Sequence, residues 1–142
     1  MNDEIKNVFS LFFDDTPITD HLIDTSRGDA DFRATFIIET AVGSKYVLKL
    51  ADNDFTFPER ISVWQRTAEE YRKLGYFCPR IFRDKSGSFP IVDYRGHRCA
   101  AYAEEFAPFR PIEDRFSDDF GKNEALYDRY KQDIWRMTAR IA

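Results

Sequence analysis

The segment from residue 32 to residue 50 constrains the fold of this chain most strongly. Residues 32–40 are rich in β-branched and aromatic side chains, which favour a β-strand. Val42-Gly43-Ser44 fits a tight connection, and the apolar run at residues 46–50 then returns antiparallel. Residues 21–25 form a further possible strand before this pair. The first half of the chain is therefore predicted to be a meander of about three antiparallel strands.

A long helix is predicted directly after these strands. Thr56-Phe57-Pro58-Glu59 fits a capping box, with Thr56 as the cap and Glu59 three positions later. Pro58 suits the first turn, where its missing N–H would have no partner in any case. Gly75 is a natural stop at the other end. Between these signals, apolar residues three or four apart make one stripe that would pack on a sheet: Ile61, Trp64, Ala68 and Tyr71.

After the helix, residues 78–82 lead into another strand, residues 89–94 continue the sheet, and residues 99–106 form the last strand. The predicted fold class is therefore α+β, with an antiparallel sheet of about five strands and one major helix packed on it. A short N-terminal helix at residues 3–13 and a C-terminal helix complete the order of elements. The apolar stripe of the C-terminal helix is unfinished at the last residue, so the chain is expected to be an excerpt of a longer one.

Composition excludes several classes of protein. The net charge of −4 and the scattered basic residues do not favour nucleic-acid binding. No apolar stretch approaches the roughly 20 residues of a membrane span. Cys78 and Cys99 lie far apart without a secretion signal, so both are expected to stay reduced in the cytoplasm. His21 and His97 have no cysteine or histidine at ligand spacing, so no metal site is predicted.

Lys49 is the residue that suggests chemistry. It stands in an apolar strand, and an ammonium loses several kcal/mol of hydration when it is buried without a partner. A lysine that points inward from such a strand therefore suggests a bound anion. A lysine on an edge strand whose ammonium reaches solvent is the alternative.

Three motifs in order carry a resemblance to a known family. They are residues 47–50 with the sequence Val-Leu-Lys-Leu, a helix that ends before Cys78-Pro79-Arg80-Ile81, and an apolar strand that closes on Glu104-Glu105-Phe106. In this order the chain resembles the N-terminal lobe of the aminoglycoside phosphotransferase and choline kinase-like family, which has a protein-kinase-like fold. The resemblance implies an N-terminal helical extension at residues 1–18, the lobe itself at 19–107, and a connector with the first helix of a C-terminal lobe at 108–142.

The resemblance also implies a nucleotide site. Lys49 would hold the α- and β-phosphates of ATP or another nucleoside triphosphate, and the turn at residues 26–29 would lie over the phosphates, where Gly28 allows close approach. Glu105, Phe106 and Ala107 would form the hinge between lobes and offer backbone groups to the adenine. An ordinary hairpin turn and a solvated strand end are the respective alternatives.

The partner of Lys49 is left open between two helix residues. Kinase-like lobes set a helix glutamate against the strand lysine. Counted back from Pro79, the spacing of the family falls on Gln65, which carries no charge. Glu59 is the nearest upstream glutamate, but it belongs to the predicted capping box.

No catalytic residue and no metal ligand is assigned in this chain, because the family places them in its second lobe and no His-x-Asp motif is present. The cofactor that the resemblance implies is ATP or another nucleoside triphosphate with Mg²⁺ in the full-length protein, and this chain need not bind it alone. The chain alone is predicted to transfer no phosphate. The leading hypothesis is the nucleotide-binding lobe of a small-molecule phosphotransferase acting on a hydroxyl group. The alternative is a non-catalytic interaction module, which could dimerise through an exposed aromatic face: Phe106, Phe109, Phe116 and Phe120.

Overall fold

The computed structural model describes residues 2–28, 30–109 and 124–141. Within them lie three helices and one six-stranded sheet, which confirms the predicted α+β class with one strand more than the expected number. The chain forms two compact units, Met1–Phe106 and Ala107–Ala142. The elements are α1 (Asp3–Phe12), β1 (Pro17–Asp24), β2 (Phe32–Thr40), β3 (Lys45–Asp52), α2 (Pro58–Lys73), β4 (Ile81–Phe82), β5 (Ile91–Tyr94), β6 (His97–Glu105) and α3 (Glu124–Ile141).

The sheet is antiparallel at every pairing, and its order is β1-β2-β3-β6-β4, with β5 also paired to β6. Strand β3 therefore lies inside the sheet between β2 and β6. Lys49 is opposite Thr35 on one side and opposite Tyr102 on the other. An edge-strand position for Lys49 is thus wrong, because both neighbouring strands are paired along its length.

Helix α1 covers one face of the sheet. Asn2 caps it, since its side-chain oxygen accepts a hydrogen bond from the Glu4 amide at 2.9 Å. Ile5 and Phe9 are fully buried against sheet residues that include Leu48. Residues 1–18, predicted as an extension, therefore contain a helix that belongs to the core of the first unit and the beginning of β1.

Helix α2 packs on the opposite face of the sheet. Leu48 points towards α1, so the next residue of β3, Lys49, points to the other face. Ile61 is fully buried there in a cluster with Phe89 and Tyr102. The helix ends at Lys73 with Leu74 as its C-cap, and Gly75 follows as the predicted stop, with a φ of 85° that only glycine adopts freely.

The predicted capping box at the start of α2 is wrong. Phe57 is the N-cap, and its side chain makes no capping hydrogen bond. The side chain of Asn53 accepts hydrogen bonds from the amides of Phe55 and Thr56, at 3.3 and 2.8 Å. These bonds place Thr56 in the turn before the helix, so Thr56 is not the cap and Glu59 has no capping role.

The second unit contains α3, where the sequence predicted a C-terminal helix. The side chain of Trp135 is 73% exposed, and neighbouring Ile134 is also exposed. Phe116 and Phe120, two members of the predicted aromatic face, lie outside the described residues. None of the helices in the described ranges is both long and apolar enough to cross a membrane.

Candidate functional site

Lys49 points from the middle of the sheet towards α2. Its side chain is 32% exposed and lines a cavity of about 190 Å³ together with Trp64 of α2 and Tyr102 of β6. The ammonium lies 5.7 Å from the centroid of the Tyr102 ring. The lysine is thus held in a partly desolvated recess on the helix side of the sheet, where an anion would interact with it more strongly than in water.

The partner of Lys49 is Glu104. The two charged groups are 2.8 Å apart, and the Glu104 side chain is only 17% exposed. Because Tyr102 is opposite Lys49 in the register, Glu104 lies two residues further along the same face of β6. A charge-assisted hydrogen bond between two inner strands fixes the direction of the ammonium without a helix residue.

Neither Gln65 nor Glu59, the two predicted helix partners, takes part in the ion pair of Lys49. Gln65 donates to the carbonyl of Ile81 at 2.8 Å and accepts from Arg83 at 3.0 Å, so its amide ties α2 to β4. Glu59 is exposed in the first turn of α2. The structure therefore replaces the predicted helix partner by a carboxylate from the sheet.

A second cation, Arg33 of β2, lines the same cavity. Its Nε and Nη2 groups donate to the two carboxylate oxygens of Asp31, each at 2.7 Å. The hydrogen bond from Arg33 lowers the pKa of Asp31, so this carboxylate stays ionised at neutral pH. The guanidinium also lies 4.8 Å from the centroid of the Phe55 ring, a cation–π contact that restricts it further.

Asn53 connects this pair to the segment before α2. Its side-chain nitrogen donates a hydrogen bond to Asp31 at 2.9 Å. Its side-chain oxygen accepts hydrogen bonds from the backbone amides of Phe55 and Thr56 in the turn before α2. One side chain therefore joins the β1–β2 connection to the entry of α2, and both segments contribute to the cavity wall.

The charged side chains on the wall of the cavity are cations. Among the described residues that line it, both charged side chains are cations, Lys49 and Arg33, whereas the carboxylates that hold them are not part of the wall. Ligand pockets for drug-sized molecules measure about 300–1,000 Å³, so this smaller cavity suits anionic groups of a ligand rather than a whole nucleotide. Threonines of three different segments complete its polar lining: Thr25, Thr35 and Thr56.

Gly28 lies apart from this cavity. It has a φ of 88° in the β1–β2 connection and lines a separate cavity with Ser26, Phe32 and His97. The residue of this connection that reaches the Lys49 cavity is Thr25. The hairpin connection thus borders the site, but the glycine predicted to cover phosphates is not part of the Lys49 cavity.

Two of the three predicted hinge residues, Glu105 and Phe106, have partners of their own. The amide of Glu105 donates to the carbonyl of Arg80 at 2.9 Å, and its carboxylate pairs with Arg72 at 2.9 Å. The ring of Phe106 lies 6.0 Å from the Lys45 ammonium, and Ala107 begins the second unit. Backbone recognition of adenine by these residues stays a prediction, and the Glu105 amide is already engaged.

Sequence reasoning missed Glu104 and Arg33 as members of the site. The signal for Arg33 was present, because pairing β2 with β3 across the short turn at residue 43 puts Arg33 and Lys49 on one face. Glu104 had no comparable local signal, since its place beside Lys49 depends on pairing with a strand distant in sequence.

The described residues contain no group of three histidine, cysteine, aspartate or glutamate side chains able to hold a metal ion. Comparison of the chain with protein-family models, with curated proteins and with solved structures found no match.

Proposed function

We propose that this chain is the nucleotide-binding N-terminal lobe of a small-molecule, ATP-dependent phosphotransferase that acts on a hydroxyl group in the cytoplasm. The observation that supports this best is the direction of Lys49. Its ammonium is oriented by Glu104 at the wall of a cavity whose charged lining residues are both cations. A triphosphate is a ligand that such a wall would favour.

The Lys49–Glu104 pair can orient the lysine as a helix glutamate does in kinases. A carboxylate that takes one of the three N–H donors of an ammonium leaves two for phosphate oxygens. Because Glu104 sits on an inner strand beside β3, the pair does not depend on the position of α2. This arrangement would keep the lysine ready for phosphate.

The proposed role of this chain is binding, without chemistry. Phosphoryl transfer depends on Mg²⁺ and on groups that position the acceptor, and no His-x-Asp motif occurs here. Asp119-Phe120-Gly121 has the residues of the metal-binding segment of kinases, but it lies outside the described residues and is assigned no role. The metal would then be held with the nucleotide by the remainder of the full-length protein.

Titration with a non-hydrolysable ATP analogue and Mg²⁺ tests this proposal, with calorimetry as the readout. We expect Lys49→Ala to weaken binding by about tenfold or more, which corresponds to at least roughly 1.4 kcal/mol. Lys73→Ala removes the same charge from an exposed position at the end of α2, where it pairs with Glu70, and should bind like the wild type. Equal affinity of the Lys49→Ala variant and the wild type would remove the phosphate role.

A second candidate function is a non-catalytic interaction module that forms a homodimer. The exposure of Trp135 beside Ile134 on α3 favours it, because a large exposed apolar side chain is a common anchor at interfaces. Light scattering after size-exclusion chromatography would detect a dimer, and Trp135→Ala should dissociate it. A wild-type monomer at all concentrations would contradict this candidate.

A further inference from the structure

We propose that Arg33 is a second phosphate-binding residue of the Lys49 cavity, and that Asp31 and Asn53 position it. This inference rests on the proposed nucleotide-binding function and extends it. It requires a ligand that carries at least two anionic groups, one near each cation. A di- or triphosphate meets this requirement, and a monophosphate does not.

The strand register puts Arg33 and Lys49 close together on one face of the sheet. Thr35 is opposite Lys49 and Arg33 is opposite Ala51, so Arg33 and Lys49 are diagonal neighbours on the α2 face of the sheet. The backbones of diagonal neighbours in antiparallel strands are about 7–8 Å apart. Both side chains line the same cavity, so an anionic chain bound there would interact with both charges.

Arg33 can bind an anion without leaving Asp31. A guanidinium carries five N–H donors in a rigid fork, and the pair with Asp31 uses only Nε and Nη2. The donors of Nη1 are not needed for that pair. The Phe55 ring and the hydrogen bond from Asn53 to Asp31 restrict the pair, so little side-chain entropy remains to be lost when phosphate binds.

A purely structural role makes a different prediction. If the Asp31–Arg33 pair only joins the β1–β2 connection to the entry of α2, replacing Arg33 should lower the stability of the fold. It should then also weaken the binding of every nucleotide to the same degree. A phosphate-binding Arg33 should instead affect affinity according to the number of phosphates on the ligand.

The test compares AMP, ADP and a non-hydrolysable ATP analogue on the wild type, Arg33→Gln, Arg33→Lys and Lys49→Ala. We expect Arg33→Gln to weaken binding of the ATP analogue by about tenfold and binding of AMP by less than about twofold. Only the triphosphate is long enough to reach both cations. Arg33→Lys should recover part of the loss, since it restores the charge. Asp31→Asn should show the same dependence on phosphate number in weaker form, because Arg33 is then present but less well held.

Arg60→Gln is the matched control. Arg60 also lies over a phenylalanine ring, that of Phe57 at 5.3 Å, but it does not line the cavity. Its replacement should leave all three affinities unchanged. If Arg33→Gln weakens all nucleotides equally or none, while Lys49→Ala still weakens the triphosphate, the role of Arg33 is refuted and nucleotide binding stands. If neither variant changes any affinity, both proposals are refuted.

Discussion

The Lys49 ammonium and the Glu104 carboxylate form an ion pair at 2.8 Å between two inner strands of the sheet. The backbone of each residue is held by strand pairing, so the pair has little freedom to separate. Both side chains are partly removed from water, with 32% and 17% of their surfaces exposed. Its strength should therefore fall between that of a surface pair and that of a fully buried pair.

A double-mutant cycle with Lys49→Ala and Glu104→Ala measures that strength. Removing one partner of an exposed pair costs about 0–1 kcal/mol, and of a buried pair about 3–5 kcal/mol. We expect each single variant to lose roughly 1–3 kcal/mol of unfolding free energy, because it leaves the other charge unpaired. The double variant should lose about 1 kcal/mol less than the sum of the two, as measured by urea denaturation.

The pair between Lys45 and Glu39 is the control for this cycle. It also joins neighbouring strands, but its side chains are 47% and 42% exposed and its charges are 3.6 Å apart. Its coupling energy should be below about 0.5 kcal/mol. If the two pairs show the same coupling, Lys49 is no better fixed than a surface lysine, and the orientation assigned to it is lost.

The attachment of α2 to the sheet depends on Ile61. This side chain is fully buried beside Phe89 and Tyr102, so Ile61→Ala should cost about 2–5 kcal/mol of unfolding free energy. Val63 lies on the same helix but is half exposed. Val63→Ala should change stability by less than about 0.5 kcal/mol. Similar losses for the two variants in urea denaturation would contradict the packing of α2.

Much of the fold could be predicted because it depends on local sequence patterns. Residues 32–40 and 46–50 are rich in side chains that favour strands, and Gly75, which follows the end of α2, has a positive φ. The prediction for the start of α2 was wrong for a local reason. The side chain of Asn53, outside the helix, accepts hydrogen bonds from the amides of Phe55 and Thr56. The four-residue motif at residues 56–59 does not include Asn53.

The site was less predictable because its contacts are long-range. The apolar strand alone left two directions open for Lys49, inward with a compensating anion or outward to solvent from an edge strand. The identity of that compensation depends on which strand pairs with β3, and β6 lies beyond α2, β4 and β5 in the chain. The resemblance to kinases predicted a partner for Lys49 on the helix, but Gln65 of that helix binds the carbonyl of Ile81 in β4.

Phe9 tests whether α1 belongs to the core. It is fully buried, and its ring lies 5.1 Å from that of Phe13 and 5.8 Å from that of Tyr46 on the sheet. Phe9→Ala should therefore lower the unfolding free energy by about 3–5 kcal/mol. Leu11 on the same helix is exposed, and Leu11→Ala should cost far less. Unchanged stability of Phe9→Ala in urea denaturation would mean that α1 is a dispensable extension.

Alkaline pH should destabilise the first unit through its buried thiol and phenol groups. Burial raises the pKa of Cys99 from 9.0 to about 12, and burial also raises the pKa of Tyr102. A raised pKa means that the folded state holds its proton where the unfolded state has lost it. The stability due to Cys99 is therefore complete below about pH 9 and is lost as pH rises towards about 12.

Thermal melting at a series of pH values measures this loss. Between about pH 8 and pH 10.5, the ionisation of Cys99 in the unfolded state should remove roughly 2 kcal/mol of stability, at about 1.4 kcal/mol per pH unit above 9. The Cys99→Ala variant starts less stable because it loses a buried sulfur, yet its stability should fall less steeply with pH. Tyr102→Phe should likewise flatten the dependence at the alkaline end. Parallel curves for the wild type and Cys99→Ala would show that the buried thiol does not govern the alkaline transition.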